Sequence, residues 1–191
     1  MTRRIPLPKP SLGEQTFKSF TVRSASREAY DYLVWLSSRR PTRGATILCG
    51  ASGSGKSHLL RACVHEWKKR NEAFAVAAIP ATDLLRRYVL PGITKGTAAQ
   101  RLPRELRGDI LIVEHLESLA AQQRSLEAVL GLCARVLQAD VRVLLSITAP
   151  VVSKKPLPLA VATSQALRPS RALQISGLHF GGEGQPNKTR A

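Results

Sequence analysis

The sequence predicts an α/β fold in which helices cover both faces of a parallel sheet. Three observations carry this. Short apolar runs alternate with amphipathic segments, and parallel strands need helical crossovers between them. The 191 residues give room for one ordinary domain with a real hydrophobic core, plus tails. A glycine-rich loop at residues 50–57 sits between an apolar run and an amphipathic segment, the order of a strand–loop–helix unit.

Residues 1–15 place Pro6, Pro8, Pro10 and Gly13 among basic residues, which predicts a flexible basic N-terminal arm. "SREAYDYLVWLSS", Ser26 to Ser38, sets Tyr30, Leu33, Val34 and Leu36 at helical spacing, with Ser26 as the cap. "ATILCG" reads as a buried strand running into the glycine loop. From Lys56 to Arg70, the residues Leu59, Leu60, Cys63, Val64 and Trp67 share one helical face, and Lys68, Lys69 and Arg70 fill the last turn. "AFAVAAI" is a second strand, and "ATDLLRRYVL" a helix capped by Thr82 or Asp83. After the Gly-rich basic stretch "PGITKGTAAQRLPRELRG" comes the strand "DILIV". A helix from Leu119 to Ala139 then presents Leu126, Val129, Leu130, Cys133, Val136 and Leu137. "VRVLLSITA" closes the alternation. The domain is expected to span 16–150, with 151–191 a degenerate or disordered C-terminal segment in which only "ALQISGLHF" offers another strand.

Lys and Arg number 29 against 13 for Asp and Glu, a net charge of +16. That excess favours a polyanionic partner, nucleic acid first. Three cysteines at wide spacing form neither a metal pattern nor a disulfide framework and fit a reducing cytosol; Cys49 and Cys63 read as small buried hydrophobes. No apolar run is long enough to span a bilayer, and "MTRRIPLPKP" lacks the apolar core of a secretory signal.

Gly50 to Ser57 fits G-x-x-x-x-G-K-[ST] in full: Gly50, Ala51, Ser52, Gly53, Ser54, Gly55, Lys56, Ser57. The glycines let backbone amides turn inward around phosphate, the helix start adds partial positive charge, Lys56 reaches the outer phosphates and Ser57 offers a hydroxyl to Mg2+. The loop is therefore expected to hold a nucleoside triphosphate or diphosphate. A metal-associated acid is expected at the end of another apolar strand, at the same sheet edge. "ILIVEHLESL" supplies Glu114, followed by His115 where a second, water-positioning carboxylate is usual. Imidazole is a poor substitute for that carboxylate, so slow turnover or none is expected.

Beyond these single motifs, "TFKSFTVRSASREAY" resembles T-F-x-x-F-x-V-x-x-x-N-R-x-A-Y, and "GASGSGKSHLLRA" resembles G-x-x-G-x-G-K-T-H-L-x-x-A. Both patterns belong to the ATPase module of the bacterial replication initiator family, DnaA, and of short relatives such as the Hda regulator and helicase loaders. The resemblance covers about Thr16 to Pro150. It implies an AAA+-like P-loop fold, a base-side segment containing Phe20 and Val22 beside Phe17, and His58 following the loop; the sequence departs from the family past Pro150, where no complete helical lid is recognisable. "GDILIVEHLESLA" is similar to D-x-L-L-I-D-D-I-Q-x-L, which sets Glu114 and His115 on the two family aspartates. "VRVLLSITAP" places Thr148 at the position of a γ-phosphate sensor, and "LRPSRAL" points to Arg171 as a counterpart of the arginine finger. Arg86, Arg87, Lys95, Arg101, Arg104 and Arg107 fall where the family presents single-strand DNA contacts.

The resemblance thus implies ATP and Mg2+ as cofactors, with Ser57 and Glu114 as metal ligands. Glu114, His115 and Thr148 would carry whatever catalysis remains. It further implies DNA, single-stranded or non-specific duplex, and self-assembly or a replication protein as partners, no membrane, and a cytoplasmic role in replication initiation or its regulation. A non-hydrolysing basic adaptor for DNA or protein stays open beside this. A small-molecule kinase is a third reading, although no signature for an acceptor pocket or basic lid is found.

Overall fold

The computed structural model describes residues 15–91, 102–148, 163, 165–167 and 170–175. Five parallel strands, β1 (Gly44–Gly50), β2 (Val76–Pro80), β3 (Ile110–Glu114), β4 (Arg142–Thr148) and β5 (Ser170–Ile175), form one sheet in the order β2-β3-β4-β1-β5. The helices are α1 (Arg27–Ser37), α2 (Lys56–Arg70), a short α3 (Ala81–Leu84) continued by a π-helical turn at Leu85–Val89, and α4 (Gln123–Gln138). The parallel α/β architecture expected from the alternating pattern is the one observed.

Period-two alternation sorts the strand side chains into two cores. Ile47, Cys49, Leu111, Val113, Val143 and Leu145 join α3, the π turn and α4 on one face. Leu48, Ile110, Ile112, Leu144, Leu173 and Ile175 join α1 and α2 on the other. Both faces of the central strands are dry, so β1 is buried along its whole length. Each fully buried Leu, Ile or Val stabilises the fold by about 1.5–3 kcal/mol relative to exposure. Leu59, Leu60, Cys63, Val64 and Trp67 of α2 are buried, as is every apolar residue expected on α4. All three cysteines are free and buried. Burial pushes the Cys49 thiol up to about 11 and the Cys133 thiol up to about 12, and it raises Cys63 further.

Several local expectations need correction. Ser26 occupies the cap position of α1 but makes no capping bond; its hydroxyl is taken up by the Arg23 backbone, accepting from the amide at 3.1 Å and donating to the carbonyl at 3.2 Å. Val34 lies outside the core at 37% exposure, while Ala29 takes an inward place. Pro80, not Thr82 or Asp83, precedes α3, and the Asp83 carboxylate pairs with Arg86 and Arg87 instead. The helix expected from Leu119 begins at Gln123, because Leu116–Leu119 form a separate 3-10 turn that buries Leu116 and Leu119.

The sheet also extends past Pro150. Residues 170–175 pair with β1 in parallel register, Ala45 against Ser170 through Gly50 against Ile175. The strand starts two residues ahead of "ALQISGLHF", and the remainder of that stretch lies outside the described residues. So do residues 1–14 of the arm, Lys95, Arg101 and most of 151–191.

Candidate functional site

Because the sheet is parallel, the carboxyl ends of β1, β3 and β4 lie on one edge, and the chemistry-bearing residues gather there. β1 ends at Gly50. The loop then turns through Gly53 (φ 72°) and Gly55 (φ 90°), with the Ser54 amide donating to the Ala51 carbonyl at 3.2 Å. Gly55 is the cap residue of α2 in the left-handed region, a conformation that favours glycine. A Cβ on Gly55 would come within 2.5 Å of Phe20, so the aromatic ring rests directly on the loop backbone. The helix amides that follow have no earlier carbonyl partner and aim into the loop.

Lys56 is buried, and its Nζ donates to the carbonyls of Gly50 (2.9 Å) and Ala51 (2.7 Å) and to Ser54 Oγ (3.5 Å). The ammonium is thus folded onto its own loop. Burial pulls it below the usual lysine range, while the nearby Glu117 carboxylate and then Cys49 act in the opposite direction.

Phe20 stacks on Tyr30 (6.0 Å between centroids) and meets the His58 ring edge-on at 5.2 Å. His58 Nε2 lies 2.9 Å from the Thr16 carbonyl and 3.3 Å from Ser19 Oγ, which pins the 16–20 segment against α2. A cavity of about 270 Å3 opens between this segment and the loop, bounded by Phe20, Gly53, Gly55 and His58, with Ile175 of β5 on its wall. Phe20 and His58 therefore come to the loop as expected. Val22 is half-buried and does not line this cavity.

Glu114 ends β3, with its carboxylate 12% exposed and 3.7 Å from Arg61. Arg61 sits one helical turn beyond Ser57 on the same face of α2, and it also donates to Gln15 at 3.2 Å. His115 adopts the left-handed region (φ 60°, ψ 46°), so the chain turns sharply and its side chain is 61% exposed. The two residues expected to act as a pair thus diverge: Glu114 faces α2, and His115 faces outward toward Glu117.

Glu117 is the residue that the motif reading missed. Its Oε2 accepts the Thr148 amide at 2.8 Å and its Oε1 lies 3.3 Å from His115 Nδ1, so it ties the end of β3 to the end of β4. Thr148 is half-buried and pairs in register with Gly50, beside the start of the loop. The available signal was an acid at the Gln position of the family strand pattern, three residues past the strand end. Arg171, by contrast, lies along α1, its guanidinium 4.4 Å above the Tyr32 ring and 3.5 Å from Glu28.

Among the described residues no three His, Cys, Asp or Glu side chains form a cluster able to hold a metal by themselves. Mg2+ is commonly held by one or two protein oxygens together with nucleotide phosphates; Ser57 lies in the first turn of α2 and Glu114 at the end of β3. Among the described residues no helix is long and apolar enough to cross a membrane.

Sequence comparison matches residues 13–156 to the family described as "Bacterial DnaA ATPase domain". The chain belongs to this family. The DnaA resemblance read from the two glycine-loop and base-side motifs is thereby established, although no curated protein matches by sequence. The fold is similar to that of domain III of the Thermotoga maritima replication initiation protein DnaA, at 16% identity and TM-score 0.64, covering 91% of this chain and 68% of that one. It is similar to a DnaA structure bound to AMPPCP and single-stranded DNA, at 21% identity and TM-score 0.58, covering 84% and 49%. The DnaC helicase loader matches at 14% identity and TM-score 0.62, covering 84% and 96%. This DnaA-type chain therefore spans about half the length of the longer DnaA structure it matches.

Proposed function

We propose that the chain binds ATP at Gly50–Ser57 and uses the nucleotide as a switch for contact with DNA or with a replication protein during replication initiation or its regulation. The observation that carries this is the strand–loop–helix turn itself, with two left-handed glycines and Lys56 at the head of α2, beside an aromatic-walled cavity. The amides of residues 53–57 would cradle the phosphates, and Phe20 with His58 would flank the base. Lys56 leaves the Gly50 and Ala51 carbonyls to meet the outer phosphates. Ser57 and Glu114 are the residues that would hold Mg2+, which supplies charge neutralisation between the phosphates. Thr148, paired with Gly50 beside the start of the loop, would sense the γ-phosphate.

Hydrolysis is weak or absent on this reading. His115 points outward, and the Glu114 carboxylate lies 3.7 Å from the Arg61 guanidinium. Neither orients water as a free carboxylate would. DNA contact is assigned to Arg86, Arg87, Arg104 and Arg107, with Lys95 and Arg101 from the intervening stretch, in a cytoplasmic setting. The AMPPCP and single-stranded DNA present in a structural relative support both halves of the proposal.

The non-hydrolysing adaptor is the second reading, favoured by Lys56 being satisfied by its own loop. Anisotropy titration of a labelled oligonucleotide, with and without ATP, separates the two. A switch gives salt-sensitive binding that tightens with ATP, whereas equal affinity in both conditions leaves the adaptor.

A further inference from the structure

A second surface lies at the opposite edge of the sheet, where β1 and β2 begin, roughly 20 Å from the glycine loop along a seven-residue strand. Trp35 is the most exposed large apolar side chain among the described residues, at 49%. Its ring is held in place: Tyr32 stacks on it at 5.6 Å, and the Arg39 guanidinium lies 4.5 Å from its centroid. The Arg39 carbonyl accepts the Trp67 indole N–H at 2.7 Å, which fixes the chain at that corner. Beside it opens a cavity of about 400 Å3 lined by Arg39, Arg40, Trp67, Arg70, Asn71 and Phe74.

Basic residues outnumber acids here, the exposed acids nearest in sequence being Asp31, one helical turn before Trp35, and Glu72, between Asn71 and Phe74. Among the described residues none of Arg39, Arg40, Arg43, Lys68, Lys69 and Arg70 forms an ion pair. Lys68–Arg70 complement the carboxyl end of the α2 dipole; Arg39 and Arg40 lie just past the carboxyl end of α1, so part of their placement has the same cause, and Arg43 follows in the segment leading to β1. Unpaired cations around a rigid exposed indole and an apolar-floored cavity match a ligand that alternates phosphates with flat bases. Duplex DNA keeps its bases stacked inside and would use only the cations.

We propose that this edge is a docking site for single-stranded nucleic acid, separate from the glycine loop and from the basic stretch between β2 and β3. A base takes the place of the Arg39 guanidinium on the Trp35 face. The freed guanidinium, with Arg40 and Arg70, then pairs with the flanking phosphates. Binding here does not require nucleotide, so it stands or falls apart from the ATP switch.

The test uses the full chain and a labelled dT20 strand, followed by anisotropy and by indole fluorescence, since Trp35 and Trp67 are the only tryptophans. The expected result is quenching of the Trp35 signal, about tenfold weaker binding in Trp35→Ala, and at least as large a loss in Arg40→Ala/Arg70→Ala. The double variant also lowers the slope of log K against log salt by about 1 to 2. The titrations are run without nucleotide, so their outcome does not depend on the ATP switch. Unchanged dT20 affinity in both surface variants overturns the proposal, and so does duplex DNA or poly-glutamate competing as well as the single strand. Circular dichroism confirms that the exposed-residue variants fold.

Discussion

The Glu117 carboxylate accepts the Thr148 amide at 2.8 Å and thereby clamps the turn after β3 to the end of β4, at the lip of the glycine loop. The same carboxylate reaches His115 Nδ1 at 3.3 Å and offsets the burial of Lys56. One acid thus connects three positions that sequence motifs treat separately.

Replacing Glu117 tests that clamp. In Glu117→Ala the half-buried Thr148 amide loses its acceptor, and stability falls by about 1–2 kcal/mol in urea unfolding. Glu117→Gln keeps an acceptor oxygen and retains most of that stability. A loss as large in Gln as in Ala would mean that charge, not the hydrogen bond, holds the turn.

Gly55 is constrained twice, by its φ of 90° and by Phe20 within 2.5 Å of any added Cβ. Gly55→Ala is expected to lose about 1–3 kcal/mol of stability and to abolish nucleotide binding. Adding Phe20→Ala relieves only the steric part. Wild-type stability and ATP affinity in Gly55→Ala would contradict the loop geometry.

Alkaline stability follows the buried thiols. The folded Cys49 and Cys133 thiols are raised to about 11 and about 12 from 9.0. Above pH 9 the unfolded chain therefore releases thiol protons that the folded chain keeps, and stability declines as pH rises through the folded values. Lys56 has the opposite sign, because its depressed value means that the unfolded chain holds the extra proton just below the ordinary lysine value of 10.5. Urea midpoints between pH 8 and 11 should fall less steeply in Cys133→Ala than in the parent, measured against each protein's own midpoint at pH 8.

Arg61 and His115 bear on turnover. Removing Arg61 costs under about 1 kcal/mol of stability, as expected for a 3.7 Å partly exposed pair, yet it frees Glu114 and should make ATP binding more dependent on Mg2+. Glu114→Asp/His115→Asp restores two short carboxylates and should raise ATP hydrolysis, read by phosphate release. No change in rate would mean that these strand-end positions do not limit turnover.

Much of this was legible in the sequence because its signals are local. The continuous apolar runs of β1, β3 and β4 and the apolar faces of α2 and α4 are written in the sequence locally, and so is the glycine loop. Glu117 was not, since its partner Thr148 is brought to it only by the pairing of β3 with β4. The pairing of residues 170–175 with β1 depends likewise on long-range register, in a proline-interrupted region whose composition argues against order. Ser26 looked like a cap, but the Arg23 backbone claims its hydroxyl first. The exposure of Trp35 ran against its apolar character, because only the packed neighbours decide which flank of α1 faces water.

The central claim is that the turn from Gly50 to Ser57 cradles a nucleotide's phosphates with Lys56 completing the contact. Titration of the purified chain with a fluorescent ATP analogue in Mg2+ tests it most directly, comparing the parent with Lys56→Ala. The account predicts saturable binding at nanomolar to low-micromolar concentration that is lost in the variant. Absence of binding in the parent, or equal binding in both, would contradict it.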